Sequence, residues 1–262
     1  MRLKLTYESV EGQKIMLPVH YNHIIQALIY TTFSPLLAQE IHDEGFKFGK
    51  RSFKMFTFSR VLEKGQRLNT KLPDTFVKNG NSKYLSFKTL TFYFSSPFDE
   101  IVTDLGEEGL KKLEFNLFGQ KISLSRLEII VTPTFNKKIL IRMLSPVTIH
   151  STLLKEDGKK MHYYFKPVEK DFSRLIEENA KKKFVLINKR LPDRMALTIK
   201  PYKFSVKQNL CIILFKGTPV EAYTGIYELS GSRELIAATY EAGLGDRNPE
   251  GFGMWEIWKG GK

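Results

Sequence analysis

One cysteine, Cys211, stands in a chain of 262 residues, so neither an intramolecular disulfide nor a cysteine-based zinc site can form. This fits a reducing, cytosolic setting. No apolar run approaches the roughly eighteen residues that span a bilayer, and the chain opens Met1-Arg2-Leu3-Lys4-Leu5 rather than with a signal sequence, so no membrane association is expected. The five histidines, His20, His23, His42, His150 and His162, form no HExxH or similar metal pattern, and no closely spaced carboxylates resemble a two-metal nuclease site. Chemistry without a metal or other cofactor is the expectation. Acid is scarce as well: 41 Lys plus Arg against 28 Asp plus Glu leave a net charge of +13, which points to a polyanionic partner and salt-sensitive binding.

The basic residues cluster. From Lys47 to Arg67, Lys47, Lys50, Arg51, Lys54, Arg60, Lys64 and Arg67 face a single acid, Glu63, and alternate with Phe46, Phe48, Phe53, Phe56 and Phe58. Cations of this kind hold phosphates, while the rings either stack on bases or build a core. Further along, Lys137, Lys138, Lys200, Lys203 and Lys207 are compatible with phosphate contacts or with a solvated face.

Near the C-terminus, Gly243, Gly245, Gly251 and Gly253 surround a charged turn containing Asp246 and Arg247. Dinucleotide and P-loop motifs follow a strand and open a helix. Here a helix over 232–242 precedes the loop and a strand over 254–258 follows it, which excludes the ATP and NAD readings. A close approach to a ligand and a structural turn capped by Gly243 both fit the pattern.

Alternation of Leu3, Leu5 and Tyr7 predicts a first strand, and the spacing of Ile24, Ile25, Leu28 and Ile29 a first helix. Ser34-Pro35 starts a second helical piece that Gly45 ends, with His42 in its last turn. Strands are expected over 55–62, 84–94 and 121–131 and a helix over 98–112. After Pro133 the pattern restarts: a strand over 139–144, a hairpin through Asp157-Gly158, a helix over 171–183, then strands near Leu197, over 210–215 and over 222–229. The fold class expected is α+β, with two tandem ferredoxin-like (RRM-like) domains, each an antiparallel sheet with helices on one face, over 1–133 and 134–262.

Of the histidines, His42 is the best placed for proton transfer, because the helix C-terminus favours its charged form while Lys47, Lys50 and Arg51 oppose it. Tyr30, by pattern a core residue, lies beside that segment, and Lys54 opens the expected strand. Such a lysine can stabilise charge on a pentacoordinate phosphorus.

Two segments resemble the CRISPR-associated endoribonucleases that cut precursor CRISPR RNA within each repeat. The first runs from Leu17-Pro18-Val19-His20-Tyr21-Asn22-His23 through Tyr30, His42 and Lys54 to Ser59. The second runs from Tyr240-Glu241-Ala242-Gly243-Leu244-Gly245 to Gly251-Phe252-Gly253. The resemblance implies Tyr30, His42 and Lys54 as catalytic residues, with Lys50 or Arg51 as alternatives to Lys54. It implies a metal-independent transesterification in which the ribose 2′-OH attacks the adjacent phosphorus, leaving a 2′,3′-cyclic phosphate and a 5′-hydroxyl. It implies repeat RNA as partner, both precursor and product, with Lys47, Lys50, Arg51, Arg247 and the glycines Gly243, Gly245, Gly251 and Gly253 along the RNA path. Association with a CRISPR effector complex, as a monomer or a homodimer, follows from the same likeness. A non-catalytic RNA-binding subunit of such a complex shares the fold and the charge and stays open as the alternative, as does a basic scaffold for DNA or acidic proteins.

Overall fold

The computed structural model describes residues 1–68, 83–154, 158 and 160–260. The chain begins with β1 (Arg2–Ser9), β2 (Ile15–Pro18), α1 (Asn22–Thr32), α2 (Pro35–Gln39) and a π-helical turn, Glu40–Glu44. There follow β3 (Phe46–Phe48), β4 (Arg51–Phe53), β5 (Thr57–Phe58), β6 (Gln66–Leu68), β7 (Tyr84–Phe87), β8 (Leu90–Ser95), α3 (Asp99–Lys111), β9 (Phe115–Leu117) and β10 (Gln120–Ile130). After a short link come β11 (Lys138–Met143), β12 (His150–Leu154), β13 (Lys160–Tyr164), α4 (Lys170–Asn188), β14 (Leu197–Tyr202) and α5 (Val206–Asn209). The chain closes with β15 (Leu210–Phe215), β16 (Thr218–Tyr223), β17 (Ile226–Gly231), α6 (Arg233–Ala242), a 3-10 turn Asn248–Glu250 and β18 (Trp255–Ile257).

Two antiparallel sheets organise these elements, in the orders β5-β8-β1-β10-β9 and β14-β17-β11-β18. Setting β9 aside, each places the second, third, first and fourth strands of a β-α-β-β-α-β unit side by side. That is the ferredoxin-like order, repeated. In the first unit Leu3, Leu5 and Tyr7 of β1 share a buried cluster with Ile25, Leu28 and Ile29 of α1 and with Ile101, Val102 and Leu105 of α3. In the second, Ile141 and Leu229 from the sheet join Phe172, Ile176 and Phe184 of α4 and Leu235 and Ile236 of α6. Burial of each such side chain is worth about 1.5–3 kcal/mol, so these two clusters dominate the folding energy.

Four expectations are corrected. The strand over 55–62 shrinks to Thr57–Phe58, its start delayed by the left-handed backbone of Met55 (φ 52°). The run over 84–94 divides into β7 and β8, which belong to different sheets. The strand over 222–229 divides into β16 and β17 at Gly225 (φ 117°), where a Cβ would lie 2.8 Å from Asn209 Nδ2. The helical piece after Pro35 leaves α geometry at Glu40 and widens into a π turn, closed by the N–H of Gly45 donating to the Glu40 carbonyl at 2.9 Å. Asp157 of the expected hairpin turn lies outside the described residues, and the flanking strands pair as His150↔Tyr164 to Leu154↔Lys160.

Candidate active site

The π turn decides where His42 goes. Gly45 follows it with φ 60°, and a Cβ there would lie 2.7 Å from the Phe53 carbonyl oxygen. Only glycine lets the turn close this tightly onto β4. The Ser52 hydroxyl donates to the Glu44 carbonyl across the same contact. The β3–β4 hairpin then returns the chain so that Lys54, just past β4 rather than at the start of a strand, extends its Nζ to the His42 carbonyl oxygen at 2.7 Å.

Tyr30 arrives from the last turn of α1. Its ring meets His42 edge-on with centroids 5.8 Å apart and packs on Phe33 and Phe56 from the core. The fold therefore gathers all three sequence-derived candidates, from α1, the π turn and the residue after β4, at one place. His42 is open to solvent, with its side chain 72% exposed, and its Nδ1 lies 2.8 Å from Asp43 Oδ1. A carboxylate only accepts hydrogen bonds, so the proton sits on Nδ1 and Nε2 is the free base nitrogen of the neutral ring. Burial pushes the Tyr30 phenol up to about 12, which keeps it a proton donor at neutral pH. Partial burial lowers the Lys54 ammonium, and Asp43 opposes the shift.

Beside Lys54 opens a cleft of about 740 Å³. Arg51, Lys54, His150, Asp246 and Arg247 are among the residues that line it. The His150 backbone N–H donates to Asp246 Oδ2 at 3.0 Å, and the His150 ring Nδ1 lies 2.5 Å from the same oxygen. Arg247 is paired with Glu250 at 2.9 Å. Lys47 and Lys50 are exposed on the β3–β4 hairpin, whereas its phenylalanines turn inward: Phe46 stacks on Phe98 at 4.2 Å, and Phe48 and Phe53 pack near Leu186. Those rings are partly buried and pack against the small cluster of Met55, Leu186 and Ala242. Among the described residues no group of three His, Cys, Asp or Glu side chains is close enough to hold a metal ion.

The glycine-rich loop needs a correction. Gly243, Gly245, Gly251 and Gly253 are all buried, and all have positive φ. A Cβ at Gly253 would lie 2.0 Å from the Leu244 carbonyl oxygen, at Gly245 2.2 Å from that of Thr148, and at Gly251 2.5 Å from the Phe58 ring. The close approach these glycines permit is to the protein's own backbone and core, which removes them as surfaces for RNA. Asn22 Nδ2 donates to the Glu250 and Gly251 carbonyls, and Thr57 Oγ1 donates to that of Phe252. The loop thus fastens the second unit to α1 and β5, close to the residues that carry Tyr30 and Lys54.

Sequence reasoning missed the residue that holds this loop. Lys183, 2% exposed on the buried face of α4, donates to the carbonyls of Gly243 and Gly245 and to Asn248 Oδ1 at 2.6–2.8 Å. Desolvation lowers its pKa to about 7, with Asp246 acting against the shift. Its signal was legible: Phe172, Ile176 and Ala180 place position 183 on the same apolar stripe, where an unpartnered lysine does not belong. Asp43, which orients His42, left no such signal.

Residues 129–257 match the family described as CRISPR associated protein Cas6, C-terminal. The chain is 26% identical over 248 residues to the CRISPR-associated endoribonuclease Cas6 of Pyrococcus furiosus, covering 92% of this chain and 83% of that protein. It is 22% identical over 261 residues to CRISPR-associated endoribonuclease Cas6 1 of Methanocaldococcus jannaschii, covering 97% and 91%. Among solved structures, a Cas6-related protein from Pyrococcus furiosus superposes with a TM-score of 0.78 at 18% identity over 99% of this chain and 98% of that one. A RAMP protein described as binding different RNA substrates gives 0.78 at 19% identity, over 99% and 100%. At these identities the superpositions speak for the fold.

Proposed function

The chain belongs to the family of CRISPR-associated Cas6 endoribonucleases, and from that premise we propose that it cuts precursor CRISPR RNA within its repeats, without a metal ion. The observation that carries the mechanism is the convergence of Tyr30, His42 and Lys54. In the reaction, Nε2 of His42 takes the proton of the ribose 2′-OH, or in its charged form protonates the departing 5′-oxygen. The 2′-oxygen bonds to the adjacent phosphorus as the bond to the 5′-oxygen breaks, leaving a 2′,3′-cyclic phosphate and a 5′-hydroxyl. The Tyr30 phenol donates to a phosphate oxygen. The Lys54 ammonium, held on the His42 carbonyl, stabilises the negative charge that builds on the phosphorane. Arg51, Lys47, Lys50 and Arg247 steer the RNA backbone toward this point, and binding weakens as salt rises. The boundary between the two units falls in this reading at 133/134.

Incubation with repeat RNA in EDTA tests the proposal. Cleavage persists in the chelator and disappears when the nucleotide 5′ of the cut carries a 2′-deoxyribose, because the nucleophile is then missing. Loss of cutting in EDTA, restored by added magnesium, contradicts the mechanism. Tight repeat binding with no cut under any condition favours the RNA-binding-subunit reading instead.

A further inference from the structure

Asn179 of α4 lines the cleft and is only 5% exposed, yet its side-chain Oδ1 has no hydrogen-bond partner. Folded chains seldom leave a buried acceptor in that condition, because it loses its water and gains nothing in return. The donor nearest along the helix is already committed. Lys183, one turn on, directs its ammonium to Gly243, Gly245 and Asn248, and three N–H groups are all it has. A second acceptor of the cleft is in the same state: Asp246 takes the His150 backbone N–H on Oδ2, while its Oδ1 has no partner.

Two unmatched acceptors, one of them on a carboxylate, repel a phosphate, whose oxygens also only accept. They call for a neutral group rich in N–H. The exposed Arg51 and the partly buried Lys54 belong to the same cleft, so an RNA backbone held by these cations leaves a base free to turn inward. A volume of about 740 Å³ lies within the roughly 300–1,000 Å³ of sites that enclose small organic groups. An exocyclic amine brings two N–H groups, enough for both acceptors, whereas the edge of uracil brings one. Adenine sets its amine beside a ring acceptor on both of its edges, the pattern that an asparagine carboxamide pairs with through two hydrogen bonds.

We propose that Asn179 reads a base in a nucleobase subsite of this cleft, and that the base is adenine. The inference rests on RNA as the substrate and adds what the cleft selects. Fluorescence anisotropy tests it with labelled 2′-O-methyl RNA strands of about twelve nucleotides, which cannot be cut by their own 2′-oxygen. The native chain is expected to bind an A strand about 10-fold or more tighter than a U strand, with a C strand no tighter than A. Purine riboside lacks the 6-amino group, so a strand carrying it in place of adenosine is expected to fall to the U level. Asn179→Leu is expected to bind the A, C and U strands within about 2-fold of the native affinity for U, because only the base contact is lost. Equal binding of A and U by the native chain overturns the proposal, as does tighter binding of C than of A, or an A preference that survives in Asn179→Leu. Uniform weakening of every strand in that variant also overturns it, since it marks a structural role. The purine riboside comparison uses the native chain and holds even if the variant fails to fold. Cutting of repeat RNA is scored separately: cutting without an A preference overturns this inference alone, and an A preference without cutting overturns the nuclease reading alone.

Discussion

Replacing His42 by alanine lowers the single-turnover rate of repeat RNA cleavage by about 100- to 10,000-fold, the range that one general acid–base group supplies. The imidazole is open to solvent, with its side chain 72% exposed, so its removal leaves no cavity. Thermal stability and RNA affinity are therefore expected to stay near those of the native protein. Rates from quenched time courses at saturating protein, with binding measured separately by filter retention, distinguish lost chemistry from lost binding. A rate within a few-fold of native contradicts the assignment of His42.

Replacing Lys183 by methionine destabilises the fold by about 3–5 kcal/mol, a large part of the 5–15 kcal/mol that holds an ordinary domain together. Methionine fills a similar volume, so the loss comes from the acceptors. The carbonyls of Gly243 and Gly245 and the side-chain oxygen of Asn248 each lose the donor that the ammonium provides, and buried acceptors left bare cost about 1–3 kcal/mol each. The glycine-rich loop then loosens, and with it the attachment of the second unit to Asn22 and Thr57. Urea denaturation followed by circular dichroism measures the effect. Lys181→Met serves as the control, because Lys181 lies on the same helix in a partly exposed pair with Glu177 and is expected to change stability by less than about 1 kcal/mol.

Periodicity made the repeated β-α-β-β-α-β order legible, since Leu3-Leu5-Tyr7 and the Ile24 to Ile29 spacing report burial directly. Breaks in strands were not legible where a single backbone conformation made them. Met55 delays one run and Gly225 divides another, and no pattern of apolar residues records a positive φ. Position along the chain singled out His42 and Lys54, and family likeness joined Tyr30 to them as one catalytic set; their proximity depends on a π turn and a hairpin that local sequence does not announce. The glycine-rich loop was legible as a place of close approach, but what it approaches is set by tertiary packing. Lys183, 60 residues upstream of Gly243, supplies the partner.

The chemical ends of the cleaved repeat RNA test the central claim most directly. Transesterification at a site built from Tyr30, His42 and Lys54 leaves a 2′,3′-cyclic phosphate on the upstream fragment and a 5′-hydroxyl on the downstream one, resolved by mass spectrometry of the products. Fragments carrying a 3′-hydroxyl and a 5′-phosphate would mean that water or hydroxide, rather than the RNA's own 2′-oxygen, attacks the phosphorus, and the account would be wrong.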